Sequence, residues 1–187
     1  TAGSPKVVVR MPNHALFLEV LHKLNEPLVA PSANSFCKVS PTTAEHVINQ
    51  LGNRIDGVVD GGSCEVGLES TIIGFNSEGE AVIYRLGGIS VEEIEAVLNQ
   101  KVNRGTAAVT TPGSQLKHYA PETRLILVNE SSDVDRDKKS VYVSFQKGSE
   151  TNSADVYLSE DGSVESAAKR LYAVLHDLDR MKVEVAY

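Results

Sequence analysis

The chain has 187 residues, a net charge of −7 and a hydrophobic fraction of 41%, which is well above that of an intrinsically disordered protein. Its longest apolar runs are only a few residues, so the sequence predicts no membrane-spanning helix. Its Lys and Arg residues are scattered and provide no basic face, so extensive direct binding of tRNA or DNA is disfavoured. The two cysteines, Cys37 and Cys64, form no Cys-x-x-Cys pair and have no histidine at zinc-ligand spacing. They predict reduced thiols, and we expect a cytoplasmic protein.

The first hundred residues contain short strand-like runs. β-Branched and other apolar residues predict strands at 7–10, 27–30, 58–59, 70–75 and 81–85. The last two runs are separated by Asn76-Ser77-Glu78-Gly79, which is a typical turn sequence. These two runs are therefore predicted to pair through a tight turn.

Helical segments alternate with these strands. Apolar residues at helical spacing predict helices from an N-cap at Asn13 to Leu24, over residues 41–51, and over residues 90–99. The starts of the second and third helices have capping-box spacing, in the pairs Thr42 with Glu45 and Ser90 with Glu93.

Residues 101–121 differ from the preceding residues in their sequence pattern and are predicted to form a linker. They show no hydrophobic period and contain Pro112-Gly113 and Pro121. A new pattern follows, with strands predicted at 125–128, 140–144, 155–158 and 183–185 and a helix over 167–178. The alternation of strands and helices predicts an α/β protein of two domains.

Ala30-Pro31-Ser32-Ala33-Asn34-Ser35 is the most suggestive binding segment. It follows a predicted strand, and Ser32 and Asn34 offer a hydroxyl and an amide at the edge where α/β sheets bind ligands. An ordinary turn explains the same residues. Ser40 precedes a predicted helix N-terminus, where backbone N–H groups favour anions, and simple capping is its alternative role.

Charged residues at the ends of strands offer a second kind of contact. Arg10 and Arg85 each close a β-branched run, and a guanidinium there is either solvated or a bidentate clamp for carboxylate or phosphate. No Gly-x-Ser-x-Gly elbow, P-loop or dinucleotide fingerprint is present. We therefore identify no catalytic nucleophile, and Ser70 is not interpreted as one.

The order of the motifs is more specific than any one of them. The chain reads Val-Arg-Met-Pro, Ala-Pro-Ser-Ala-Asn-Ser, Ser-Pro-Thr-Thr-Ala-Glu-His-Val, Asp-Gly-Gly, Gly-Leu-Glu-Ser-Thr-Ile-Ile, Arg-Leu-Gly-Gly-Ile and Pro-Gly-Ser-Gln-Leu-Lys-His-Tyr-Ala-Pro. This order resembles the threonylcarbamoyl-adenylate synthase family in its long, two-domain form. The resemblance implies a YrdC-like twisted mixed sheet with helices over 1–100, a linker over 101–121 and a small Rossmann-like α/β domain over 122–187.

The resemblance also implies a reaction. L-Threonine and bicarbonate form a carbamate, which attacks the α-phosphate of ATP, so that pyrophosphate leaves and threonylcarbamoyl-AMP forms. Other tRNA-modifying proteins then accept the threonylcarbamoyl group. Mg²⁺ would bridge the ATP phosphates, so no protein metal ligands are assigned. By motif match, threonine would be bound by Arg10, Ala30 and Ser70, ATP by Lys6, Ser32, Asn34, Ser40 and Arg85, and the linker over Lys117, His118 and Tyr119 would act as a lid.

The sequence departs from the family pattern in ways that keep alternatives open. The Lys-x-Arg motif of the family is absent, and we expect the chain to be truncated at both ends and inactive alone. One alternative is a non-catalytic YrdC-like module that binds RNA or a nucleotide. Another is the carbamoyl-transfer domain of a hydrogenase maturation protein, which the linker fits poorly.

Overall fold

A computed structural model of the chain describes residues 6–105, 119–136, 139–148 and 154–187. Contacts divide the chain into two compact units, residues 1–32 and residues 33–187, and each unit is described by itself. The described elements are helices and small sheets, so the fold class is α/β, as predicted. No helix among these residues has both the length and the apolar character that crossing a bilayer requires.

Helix α1, at Ala15–Leu24, lies in the described part of the first unit. Its N-cap is His14, whose Nδ1 accepts the Phe17 N–H, so the predicted cap at Asn13 was wrong by one residue. The strands predicted at 7–10 and 27–30 were also wrong, because neither segment has strand structure. A strand requires a pairing partner, and no described segment pairs with either run.

Helix α2 spans Ala44–Leu51, at the start of the second unit. Its N-cap is Thr43, whose hydroxyl accepts the His46 N–H, so the capping box predicted for Thr42 and Glu45 was wrong. Gly52, the residue after the helix, has φ −45° and begins a short 3₁₀ segment, Gly52–Arg54. The strand predicted at 58–59 is absent, and that segment has no regular structure.

A mixed three-stranded sheet follows. Strands β1 (Ile72–Phe75) and β2 (Ala81–Arg85) are antiparallel, and β3 (Asn103–Arg104) pairs with β2 in parallel. The turn between β1 and β2 is the predicted one, with Asn76 Oδ1 accepting two backbone N–H groups and Gly79 at φ 81°. Strand β3 lies inside the predicted linker, whose start is therefore part of this sheet.

Helix α3 spans Val91–Leu98, and its predicted capping box is confirmed. The Ser90 hydroxyl accepts the Glu93 N–H, while the Glu93 carboxylate accepts the Ser90 N–H. This exchange satisfies two backbone donors at the start of the helix. The helix lies between β2 and β3 in sequence and connects the two parallel strands, as a crossover helix does.

The last part of the chain has short parallel strands. They are β4 (Arg124–Leu125), β5 (Ser140–Val141), β6 (Val143–Gln146), β7 (Val156–Ser159) and β8 (Val185–Ala186). The hydrogen-bonded orders are β4-β8-β5 and β6-β7, all parallel. The strand predicted over 140–144 is divided, because Tyr142 lies between β5 and β6. The strand predicted over 125–128 is shifted and shorter, since β4 ends at Leu125.

Helix α4 (Val164–Met181) covers these strands and completes their core. Val174 and Leu178 on the helix pack against Val141 of β5 and Ala186 of β8, and all four are at most 2% exposed. Burying each of the three larger side chains, those of Val141, Val174 and Leu178, contributes about 1.5–3 kcal/mol. The packing fixes α4 against the sheet, and the same helix carries three side chains toward the site described next.

Candidate functional site

The loop over residues 33–40 is shaped by its own amides and by α2. Asn34 donates to the Ser35 and Lys38 carbonyl oxygens at 3.0 and 3.1 Å. Gln50 of α2 accepts the Ser35 N–H and donates to the Val39 carbonyl, both at 3.0 Å. These bonds hold the loop at both ends, so the next residue, Ser40, is presented in a fixed position.

Glycines allow two of the sequence motifs to pack closely together. Gly67 has φ +75°, and a Cβ there would lie 2.3 Å from the Lys169 carbonyl oxygen on α4. A Cβ at Gly87 would lie 2.3 Å from the Glu69 carbonyl oxygen, which also accepts the Gly88 N–H at 2.9 Å. Glycine is required where backbones approach this closely. The Gly-Leu-Glu-Ser-Thr and Arg-Leu-Gly-Gly motifs therefore touch.

Four polar residues meet at this contact, and we call Ser40, Glu69, Ser70 and Arg85 the Arg85 cluster. Arg85 donates to the Ser70 carbonyl oxygen from Nε (3.1 Å) and Nη2 (2.8 Å), and to the Ser70 hydroxyl at 3.2 Å. Its Nη2 lies 3.6 Å from the Glu69 carboxylate, which accepts the Ser40 hydroxyl at 2.7 Å. The side chains of Arg85 and Glu69 are only 13% and 20% exposed.

Two tyrosines lie beside the Arg85 cluster. The rings of Tyr119, at the end of the linker, and Tyr172, on α4, stack with centroids 5.6 Å apart. Burial and the nearby Glu69 carboxylate raise the pKa of Tyr119, opposed in part by the charge of Arg85 and by a hydrogen bond with it. Burial, followed by the Glu69 charge, raises the pKa of Tyr172 to about 12. Both phenols are therefore neutral near pH 7.

Two histidines connect α2 with α4. The rings of His46 and His176 stack with centroids 3.9 Å apart, and Nε2 of His176 lies 3.1 Å from the Ser40 carbonyl oxygen. Nδ1 of His46 accepts the Thr42 N–H at 3.2 Å. Burial, followed by the neighbouring His176, lowers the pKa of His46, against opposing contributions from Asp177 and Glu45. Helix α4 thus contacts Ser40 directly.

The C-terminal end of the predicted linker is attached to the loop over residues 33–40. The Ala120 N–H donates to the Cys37 carbonyl oxygen at 3.1 Å, and Lys38 forms an ion pair with Glu122. Asp179 of α4 accepts the N–H groups of residues 122 and 123. The linker end, the loop and α4 are therefore held together. Cys37 and Cys64 are both free thiols, as predicted.

The structure brings together some of the predicted site residues. Ser40, Ser70, Arg85 and Tyr119 meet in or beside the Arg85 cluster, and Asn34 shapes the loop that presents Ser40. Four others belong to the first unit and have exposed side chains, namely Lys6, Arg10, Ala30 and Ser32. Lys117 and His118 lie outside the described residues.

Sequence reasoning missed Glu69, Tyr172 and His176. The signal for Glu69 was its position next to Ser70 inside a quoted motif. Tyr172 and His176 lie on α4, and no local pattern separates them from ordinary helix residues. No group of three or more His, Cys, Asp or Glu that could hold a metal ion is found in the described part of the chain.

Comparisons with known proteins identify the family. A family model described as "Telomere recombination" matches residues 1–87, and one described as "Threonylcarbamoyl-AMP synthase, C-terminal domain" matches residues 89–187. The threonylcarbamoyl-AMP synthase of Pyrococcus abyssi is 33% identical over 99% of this chain and 58% of the relative. That of Bacillus subtilis is 41% identical over 71% of this chain and 40% of the relative.

A solved structure agrees with these matches. The crystal structure of P. abyssi Sua5 complexed with L-threonine matches 95% of this chain and 56% of that chain, with a TM-score of 0.76 and 32% identity. The chain therefore spans about half the length of the relatives it matches. With both of its parts matched by the family models, the chain belongs to the threonylcarbamoyl-AMP synthase family.

Proposed function

We propose that the protein makes L-threonylcarbamoyl-AMP from L-threonine, bicarbonate and ATP. The threonine amine and bicarbonate form an N-carboxylate with loss of water. A carboxylate oxygen then attacks the α-phosphorus, and the bond from that phosphorus to the bridging oxygen breaks, so that pyrophosphate leaves. The observation that carries the proposal is the Arg85 cluster, in which motifs quoted for the family form one partly buried set of hydroxyl and guanidinium donors.

The residue roles follow the chemistry of the two substrates. Arg10, Ala30 and Ser70 are proposed to bind threonine, whose carboxylate suits a bidentate guanidinium. Lys6, Ser32, Asn34, Ser40 and Arg85 are proposed to bind ATP. In a transfer of this kind positioning and charge neutralisation contribute most of the rate, and no protein nucleophile is needed. Similarity to a Sua5 protein complexed with L-threonine supports the threonine part.

Asn34 supplies an independent argument for a polar ligand. Its Nδ2 is bonded to two carbonyl oxygens, but its buried Oδ1 has no hydrogen-bond partner among the described residues. A buried acceptor without a partner costs about 1–3 kcal/mol. A hydroxyl or amino group of a nucleotide would remove this cost by donating to Oδ1.

Mg²⁺ is proposed to enter as part of the Mg-ATP substrate. Mg²⁺ at such sites is held mainly by the phosphate oxygens of the nucleotide. When bound it neutralises phosphate charge. Arg85 and Ser40 would orient the phosphate oxygens, and Ser70, fixed by Arg85, would face the second substrate.

The linker residues Lys117, His118 and Tyr119 are proposed to close over the bound substrates. Tyr119 beside the Arg85 cluster supports this role, because the mixed anhydride product needs protection from water. The division into a catalytic part (1–100), a linker (101–121) and a small domain (122–187) remains part of the proposal. So do a cytoplasmic location and transfer of the product's threonylcarbamoyl group by other tRNA-modifying proteins.

The proposal is tested by pyrophosphate release from the protein at its natural length. Release should require threonine, bicarbonate and Mg-ATP together, and omission of any one should reduce it to background. Arg85→Lys should reduce kcat/KM for ATP by about 10- to 100-fold, because lysine cannot reproduce the guanidinium fork. Release that is indifferent to threonine would contradict the assignment.

A further inference from the structure

Glu69 is the one member of the Arg85 cluster to which the proposed function assigns no role. Its carboxylate accepts the Ser40 hydroxyl at 2.7 Å and lies 3.6 Å from the Arg85 guanidinium. These are the two groups proposed to bind the phosphates of ATP. One carboxylate therefore accepts the Ser40 hydroxyl and serves as the counter-charge of Arg85, and phosphate oxygens can take the same two roles.

The groups in this arrangement are largely buried, so water cannot readily replace the Glu69 carboxylate. Ser40 is 7% exposed, and the side chains of Arg85 and Glu69 are 13% and 20% exposed. A partly buried guanidinium without a counter-charge is costly, so Glu69 stabilises the ligand-free cluster. A phosphate that binds Ser40 and Arg85 together must therefore take the place of the Glu69 carboxylate, which lies against both groups.

Arg85 keeps its place without Glu69. It is anchored by the three hydrogen bonds to Ser70, whereas at 3.6 Å the contact with Glu69 is an ion pair without a hydrogen bond among those described. The contribution of Glu69 to Arg85 is thus charge compensation, and its contribution to Ser40 is a hydrogen bond. Substitution by glutamine removes the charge but keeps an oxygen for the Ser40 hydroxyl.

We propose that Glu69 is a positioning residue that stands in for a phosphate: it holds Ser40 and Arg85 ready and competes with the phosphates of ATP for them. This inference rests on the proposed function, and it makes Glu69 a residue that sets the affinity of the protein for ATP. The competition weakens ATP binding, and it also eases release of pyrophosphate, since interactions that bind substrate and product tightly do not raise kcat.

The test is calorimetric titration of Glu69→Gln with Mg-ATP, adenosine and Mg-pyrophosphate. Glu69→Gln should bind ATP and pyrophosphate about tenfold more tightly than the wild type, the effect of removing one like charge at close range. Adenosine, which has no phosphate, should bind both proteins alike. The matched control is Glu95→Gln, because the Glu95 side chain is also 20% exposed and its carboxylate is paired with Lys101. This variant should bind all three ligands as the wild type does.

Each result decides the proposal. Weaker or unchanged binding of both phosphate ligands by folded Glu69→Gln, or an equal change for adenosine, overturns it, as does absence of phosphate binding in both proteins. Tighter pyrophosphate binding with no ATP binding supports competition between Glu69 and a phosphate at the cluster, while it contradicts both the proposed function and the effect on ATP affinity. Tyrosine absorbance titration verifies the folded variant, because removal of the Glu69 charge should lower the pKa of Tyr119 and Tyr172.

Discussion

Gly67→Ala should destabilise the protein more than an ordinary glycine substitution, because Gly67 meets two independent demands. Its φ of +75° is left-handed, which costs an L-residue about 1–2 kcal/mol. The new Cβ would also lie 2.3 Å from the Lys169 carbonyl oxygen, where ordinary contact begins at 3.4 Å. Helix α4 would have to recede by about 1 Å, and overpacking of this kind costs a further ~1–3 kcal/mol.

The matched control is Gly79→Ala. Gly79 has φ +81°, and a Cβ there would meet nothing within 4 Å. Gly79→Ala should therefore lower the free energy of unfolding only by the cost of the left-handed backbone, about 1–2 kcal/mol. Gly67→Ala should lower it by about 2–5 kcal/mol. Urea unfolding, read as a shift in midpoint at constant slope, measures both values. Equal destabilisation of the two variants would refute the close contact between residue 67 and α4.

Three further predictions concern pH, substrate binding and the linker. Burial lowers the folded-state pKa of His46, so its contribution to stability is fully present above the unfolded pKa of about 6.5 and is lost as the pH falls from that value through the lower folded-state pKa. The urea midpoint should therefore drop between pH 7.5 and pH 5.5 by less in His46→Gln than in the wild type, and equal drops would contradict this. Arg10→Lys should raise the KM for threonine far more than that for ATP, and equal rises would count against a threonine carboxylate clamp. Limited proteolysis within 101–121 should slow when threonine and a non-hydrolysable ATP analogue are both added, and unchanged cleavage would reject a lid.

Elements with local signals could be predicted from the sequence. The capping box at Ser90 and Glu93 and the turn over residues 76–79 each depend on contacts among neighbouring residues. Pairing of β1 with β2 followed from that turn. The helix starts at His14 and Thr43 were missed by one residue each, because either neighbour carries a side chain able to cap.

Strands without a local partner could not be predicted in the same way. The runs at 7–10 and 27–30 have strand-like residues, yet strand structure depends on hydrogen bonds to a distant segment, which composition does not encode. Strand β3 shows the converse. Its residues, Asn103 and Arg104, have low strand propensity, and they pair with β2 because α3 returns the chain to that edge.

In the candidate site, too, the residues in local motifs could be predicted and the contacts between distant segments could not. Ser70 and Arg85 were proposed from motifs, and their contact follows from the register of β1 and β2, in which Ile72 opposes Arg85. His176 reaches Ser40 across 136 positions of sequence, and Tyr172 reaches Tyr119 through the packing of α4. Such contacts arise from tertiary packing, so motif reading alone could not supply them.

The most direct measurement follows labelled carbon from bicarbonate. The protein at its natural length is incubated with threonine, Mg-ATP and ¹³C-bicarbonate. The nucleotides are then separated, and their masses are measured by mass spectrometry. The proposed reaction predicts a threonine-dependent AMP adduct that carries the ¹³C label, formed with one pyrophosphate for each adduct. AMP or ADP without the label, or an adduct that forms equally without threonine, would contradict it.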